Sequence, residues 1–274
     1  MKVIFLDIDG TLYSSKANEI PSSSIVAIAK ARANGHKVLL CTGRSMGEAT
    51  EHLGFEVDGF IFSAGNVVYV EKQRIYKNVM DLKDTEDIMK FCIEHQIGYT
   101  IAGDAGAYCD NKGLKEIGHY FGLNSKSEEE RNKELAKKGY FPMSEYSLDD
   151  KISKMGLFAK SFEMGEEIRK NIPERYSCKY THIDQDNDMY SLEVIDKAIS
   201  KATGIEKVLE YYNVDKKDAI ACGDSSNDVE MLQYCGIGVA MGNGSDDCKA
   251  AADYVTDDIL EYGIYNAFKK FGVI

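Results

Sequence analysis

At 274 residues the chain exceeds what one ordinary hydrophobic core fills, so one large or two unequal domains are expected. With 44% apolar and 28% charged residues it has the composition of an ordinary globular protein, and no run approaches the roughly 18 apolar residues of a membrane span. A net charge of −12 disfavours nucleic acid and anionic membranes as partners held by bulk attraction. The N-terminal stretch lacks the basic-then-apolar layout of a secretion signal, and seven cysteines without a C-x-x-C pair read as reduced thiols, with Cys41 and Cys222 packed inside strands. Both features point to a cytoplasmic protein.

Val3 to Leu6 are four consecutive apolar residues that run into Asp7 and Asp9, which reads as a strand buried on both faces with carboxylates at its carboxyl end. Residues two apart in a strand share a side, so Asp7 and Asp9 face one pocket if strand geometry continues past Asp7. A lone D-x-D is also what any strand end followed by a polar turn looks like, and Gly10 turns the chain here. Pro21 and three serines precede Ile25, Ile28, Ala29 and Arg32, and Gly35 follows, so a capped helix of about three turns is expected. Lys37 to Cys41 reads as a second buried strand, ending in Thr42-Gly43-Arg44. Strand, helix and strand within about forty residues form a βαβ unit and hence a parallel sheet. Gly59 to Ser63 adds a third strand, closing in Ala64-Gly65-Asn66.

From about Asp81 the texture changes, and residues 82–190 read as an inserted second domain. Asp84 to Gln96 is helical in pattern, Gly98 to Gly103 and Ala105 to Asp110 suggest a hairpin turning at Gly103-Asp104, and Ser127 to Lys138 suggests a solvated helix. Ile152 to Phe158, Tyr176 to Ile183 and Met189 to Ile195 read as strands of a half-exposed antiparallel sheet. Asp184, Asp186 and Asp188 mimic the opening of a calcium loop, but Met189 and Ile195 stand where that loop needs glycine and glutamate, which excludes it.

The parallel pattern then resumes. Ser200 to Tyr212 is a helix with Ile205, Val208, Leu209 and Tyr212 on one face and Lys201 in its first turn, where a cation opposes the helix dipole; a solvated lysine and a functional one both fit. Asp218 to Cys222 is a buried strand that enters Gly223-Asp224-Ser225-Ser226-Asn227-Asp228, and Gly236 to Met241 enters Gly242-Asn243 in the same way. Gly236, Gly238 and Gly242 are spaced G-x-G-x-x-x-G rather than as a dinucleotide loop.

Asp7, Asp9, Thr42, Asp224, Asn227, Asp228 and Asn243 therefore all lie at or just past carboxyl ends of expected parallel strands, where open α/β sheets bind ligands. Carboxylates gathered there repel one another unless a cation neutralises them, and hard oxygen donors without histidine or cysteine select Mg²⁺. Magnesium partners phosphate oxygens, which accounts for a lysine and a threonine hydroxyl at the same place. The chemistry indicated is phosphoryl transfer.

Asp7-Ile8-Asp9-Gly10-Thr11, Thr42-Gly43-Arg44, Lys201 and Gly223-Asp224-x-x-Asn227-Asp228 resemble, in order and context, the four motifs of the haloacid dehalogenase superfamily of phosphatases. The position of the insertion, the 236–243 segment and Ala252 to Thr256 are similar to the Cof-like subgroup with a large α/β cap. The resemblance implies an α/β fold: a doubly wound, Rossmann-like parallel-sheet core at 1–81 and 191–274, with an α+β cap at 82–190. It implies that Asp7 attacks phosphorus to form an aspartyl phosphate and that Asp9 serves as acid and base. Thr42 and Lys201 would hold the phosphoryl oxygens. Mg²⁺ would be held by the Asp7 side chain, the Asp9 carbonyl and Asp224, with Asn227 and Asp228 supporting it or Lys201, and Gly43 and Asn243 near the phosphate. Many relatives carry Asn-Gly-Ala where this chain has Ala64-Gly65-Asn66, so the role of Asn66 stays open. The expected substrate is a small phosphorylated metabolite, with sugar phosphates favoured. A phosphomutase on the same fold and a non-catalytic phosphate-ester sensor are the alternatives, and oligomeric state is not legible.

Overall fold

The first strand, β1 (Val3–Leu6), buries all four side chains, as a strand covered on both faces must. The computed structural model describes residues 1–44, 46, 54–103, 106–147, 150–184 and 189–274. After β1 comes α1 (Ser22–Ala33), which starts at Pro21 without a side-chain cap. Its end is a Schellman motif: Gly35 has φ +84° and donates to the Arg32 carbonyl at 3.0 Å, and the His36 N–H donates to the Ala31 carbonyl at 3.1 Å. β2 (Lys37–Cys41) and β3 (Gly59–Phe62) follow, each parallel to its predecessor in the sheet. β4 (Val67–Val70) and β5 (Gln73–Lys77) then form an antiparallel hairpin on the β3 edge, which the sequence reading did not anticipate. Its two-residue turn is Glu71-Lys72, with φ +50° and +71°. Such a turn normally carries Asn-Gly or Asp-Gly, and neither signal is present.

The chain forms two compact units, and residues 78–198 belong to the second. In that unit α2 (Leu82–Glu94) is capped by the Asp81 carboxylate, which accepts the Asp84 N–H at 3.1 Å. β6 (Gly98–Ala102) pairs antiparallel with β7 (Ala107–Cys109); of the expected turn at Gly103-Asp104, Asp104 lies outside the described residues. α3 (Asn111–Tyr120) and α4 (Glu128–Lys137) lead to β8 (Tyr140–Pro142), and α4 opens with a reciprocal Ser127–Glu130 capping box. β9 (Lys154–Ala159), α5 (Phe162–Asn171), β10 (Tyr176–Asp184) and β11 (Met189–Asp196) complete it. Helices α3 and α5 were not anticipated. The strand order is β10-β11-β9-β6-β7-β8. The sheet is not wholly antiparallel: β7 and β8 run parallel, because the two intervening helices carry the chain back to the end where β7 began. β11 pairs with β9 and β10 instead of joining the first sheet, so it belongs to the second unit. Asp186 and Asp188, from the dismissed calcium pattern, lie outside the described residues.

The remaining elements return to the first unit: α6 (Lys201–Tyr212), β12 (Ala219–Gly223), α7 (Val229–Tyr234), β13 (Ile237–Ala240), α8 (Asp246–Ala251), β14 (Tyr254–Val255) and α9 (Gly263–Lys270). The sheet order is β14-β13-β12-β1-β2-β3-β4-β5, parallel from β14 through β3. Val3 and Phe5 pack with Leu39, Ile61, Ile205, Val208, Met231 and Leu232 in one layer. Alternation sends Ile4 and Leu6 to the opposite layer, where α1 and α9 pack together. Each of these large apolar side chains removed from water contributes roughly 1.5–3 kcal/mol. The chain builds outward from β1 through β2 and β3 on one side and from β12 through β13 and β14 on the other, so the strand order reverses between β1 and β12. The doubly wound core expected from the sequence is therefore the observed one. Among the described residues no helix is long and apolar enough to cross a membrane.

Candidate active site

Asp7 is the first residue past β1, and its N–H still donates to the Cys222 carbonyl of β12 at 3.0 Å. That bond sets the side chain at the carboxyl end of the sheet beside the switch point, where open α/β sheets leave a crevice. The turn after β12 delivers Asp224 and Asp228 to the same place. One carboxylate oxygen from each of Asp7, Asp224 and Asp228 lies within 4.8 Å of the others.

Lys201 enters this group from α6. It is 1% exposed, and its Nζ donates to Asp7 Oδ1 at 2.5 Å and to Asp228 Oδ1 at 2.6 Å. The two carboxylates offset both the cost of burying an ammonium and its poor placement at a helix N-terminus. Burial pulls the Lys201 pKa down, but Asp7 and Asp228 outweigh that effect and hold it above its ordinary value. Burial pushes the Asp7 carboxyl up to about 8 against the attraction of Lys201, with Asp228 and Asp224 adding to the rise. Asp224 is raised to about 6, by burial first and then by Asp228, while the Thr11 hydroxyl, donating to its Oδ1 at 3.1 Å, opposes the rise.

Three carboxylates against one ammonium leave a deficit of two positive charges, which is what a divalent cation supplies. The donors are hard oxygens with no histidine or cysteine in the group, so the residues present fit Mg²⁺. They are not equivalent. Asp228 Oδ2 accepts the N–H groups of Asp224 and Ser225 at 2.9 and 3.0 Å while its Oδ1 holds Lys201, so this carboxylate organises the turn and the lysine. Asp7 and Asp224 each have one oxygen engaged by a single side chain, Lys201 and Thr11 respectively.

Not every expected residue joins the cluster. Strand geometry ends at Leu6, and both the Leu12 and Tyr13 N–H groups donate to the Ile8 carbonyl, so the chain coils as it passes Asp9. The Asp9 side chain is exposed and forms a two-point ion pair with Arg44, whose Nε lies 2.8 Å from Oδ2. Thr42 is buried, extends the β2–β3 ladder through its N–H to the Ile61 carbonyl at 2.8 Å, and its Oγ1 accepts the Arg44 N–H at 3.1 Å. Gly43, between them, has open space where a Cβ would stand. Asn227 is exposed and accepts the Ser225 hydroxyl at 2.9 Å. Asn243 bridges two loops, donating to the Gly10 carbonyl at 2.7 Å and accepting the Ile259 N–H at 2.9 Å. Asn66 is fully buried and donates to the Ser63 carbonyl at 2.5 Å. Sequence reasoning gave Thr11 and Arg44 no role although both stand inside motifs it quoted; their partners, Asp224 and Asp9, are distant in sequence.

A family model for haloacid dehalogenase-like hydrolases matches residues 4–268. YkrA of Bacillus subtilis (strain 168) is 31% identical over 280 residues, spanning 100% of this chain and 98% of that protein. Phosphatase YwpJ of the same organism is 26% identical, spanning 98% and 99%. Among solved structures, that of BT4131, a sugar phosphatase of haloacid dehalogenase subclass IIB, has a TM-score of 0.77 at 28% identity and covers 100% of both chains. A matched model over nearly the whole chain, full-length relatives and a shared fold lead to one conclusion: the chain belongs to the haloacid dehalogenase-like hydrolase family, among its Cof-like phosphatases.

Proposed function

We propose that this phosphatase is a Mg²⁺-dependent phosphomonoester hydrolase acting through an aspartyl phosphate, on sugar phosphates or similar small phosphorylated metabolites. The observation that carries the reading is the Asp7, Asp224 and Asp228 group, gathered with the buried Lys201 at the carboxyl ends of β1 and β12. The likeness to a sugar phosphatase supports the substrate class.

Asp7, desolvated yet steadied by Lys201, is the nucleophile: its carboxylate forms the bond to phosphorus as the ester oxygen departs with the electron pair of the broken bond. Asp9 gives that oxygen its proton, then takes one from the water that attacks the phosphoenzyme and releases phosphate. The Thr42 hydroxyl and the Lys201 ammonium hold the transferring phosphoryl oxygens, while Asp228 orients Lys201. Asn227, Gly43 and Asn243 border this pocket. Asp7 and Asp224, with the Asp9 carbonyl, would hold Mg²⁺, which when bound neutralises charge on the incoming phosphate. The ion pair between Asp9 and Arg44 is solvent-exposed, so water reaches the Asp9 carboxylate.

Phosphate release from a panel of phosphate esters, in chelator and in Mg²⁺, tests the reading. Mg²⁺-dependent release of free phosphate is expected. Full turnover in chelator would remove the metal, and an isomerised phosphosugar without free phosphate would identify a mutase instead.

A further inference from the structure

At the carboxyl end of β3, Ser63, Ala64 and Gly65 have φ values of 49°, 54° and 104°. Side-chain-bearing residues rarely adopt this left-handed region, and a run of them persists only where the surroundings over-determine it. The surroundings here are specific. The Ser63 N–H donates to the Arg44 carbonyl at 2.8 Å, and the Ala64 N–H donates to the Thr42 carbonyl at 2.9 Å. Asn66, fully buried, donates back to the Ser63 carbonyl. The turn is thus bound to the backbone that carries Thr42.

Its other side abuts α6. A Cβ on Gly65 would overlap the Ser200 carbonyl, one residue before Lys201. Gly204, one turn further along α6, faces back: a Cβ there would stand 3.2 Å from the Gly65 Cα and crowd Ile61. Two opposed glycines let the first turn of α6 press directly on the 63–66 backbone. That first turn carries the lysine whose Nζ meets Asp7 and Asp228.

We propose that the 63–66 turn is the element that fixes Thr42 and Lys201 relative to each other, and so sets the width of the pocket for the phosphoryl group. Gly65, Gly204 and Asn66 are its positioning residues, and Asn66 acts by holding the turn rather than by touching substrate. The proposal rests on the assignment of Thr42 and Lys201 to the phosphoryl oxygens. Displacing either by about 1 Å is enough to cost on the order of a hundredfold in rate.

The test uses Gly65→Ala and Asn66→Ala in the full chain. Affinities for inorganic phosphate and for Mg²⁺ are measured by titration, kcat with an aryl phosphate, and folding by circular dichroism. Both variants should bind phosphate about tenfold more weakly and turn over about 10–100-fold more slowly, with Mg²⁺ affinity unchanged. Asn66→Ala removes the side-chain hydrogen bond to the Ser63 carbonyl and adds no atom, so it keeps the test available should Gly65→Ala fail to fold. A folded variant with wild-type phosphate affinity and kcat overturns the proposal, and so does a loss of Mg²⁺ affinity in step with phosphate. If the wild type binds phosphate but hydrolyses no ester, the hydrolase reading has failed, and the phosphate affinities of the variants still judge the turn.

Discussion

Lys201 is the residue on which most of the site's electrostatics turns. Its ammonium is the only side-chain cation within hydrogen-bonding distance of Asp7 among the described residues, and it also holds Asp228. Lys201→Ala should lower kcat by on the order of 10²–10³, as for other losses of a preorganised charge; an unchanged steady-state rate would return it to a structural role. The two opening aspartates divide differently. Asp7→Asn should abolish turnover even of an aryl phosphate, because an amide is a poor nucleophile at phosphorus. Asp9→Asn should still be phosphorylated by that substrate, whose leaving group needs little protonation, and then stall. Rapid quench should therefore record a stoichiometric burst of phenol followed by a slow rate, with phosphate retained on the protein. No burst from a folded, metal-binding Asp9 variant would reverse the assignment.

At the scale of elements, the turns after β1 and β12 interlock. Gly10 has φ +85°, and a Cβ there would overlap the Asp224 carboxylate. Gly10→Ala should cost about 1–2 kcal/mol for the left-handed backbone alone. It should also push Asp224 aside, lowering Mg²⁺ affinity well beyond what the stability loss explains, which paired thermal and metal titrations would separate. The same scale shows why the sequence was uneven as a guide. Val3 to Leu6 and Asp218 to Cys222 declared themselves as continuous apolar runs, because strands buried on both faces need them. The β4–β5 hairpin did not, because it turns on Glu71-Lys72 held at positive φ. In the second unit α3 and α5 passed unnoticed: α3 includes Gly113 and Gly118 and α5 includes Gly165, a residue of low helix propensity, so packing rather than local preference makes them helical.

For the molecule as a whole, the acidic site makes stability depend on pH. Asp7 and Asp224 are raised in the folded protein to about 8 and about 6, from an ordinary value of 3.8. The folded state therefore binds protons more tightly than the unfolded one. Their contribution is fully present below about pH 4 and is lost as pH rises through 6 toward 8. The metal-free protein should accordingly show a thermal midpoint that falls between pH 5 and pH 8.5, and Mg²⁺ should restore most of the loss at the upper end. Scans in chelator and in Mg²⁺ would show it, and a metal-free midpoint that rises across this range would contradict the charge deficit on which the metal reading rests.

The sequence by itself determined the doubly wound core and which residues stand at the carboxyl ends of its strands, for a physical reason. A parallel strand buried on both faces writes itself as an apolar run, and the residues just beyond it are placed at the sheet's carboxyl end whatever the rest of the chain does. Asp7, Asp224 and Asp228 could thus be placed together before any coordinate. Only the tertiary structure decided which polar groups meet one another. Whether Lys201 was solvated or buried depended on a contact across 194 residues, and the partner of Asp9 lay 35 residues away in Arg44. Asn66, ambiguous beside its relatives' pattern, became legible only when its side chain was seen to be buried and bound to the Ser63 carbonyl. Periodicity reports which face of an element is apolar; it carries no record of which polar group from another element arrives to meet it.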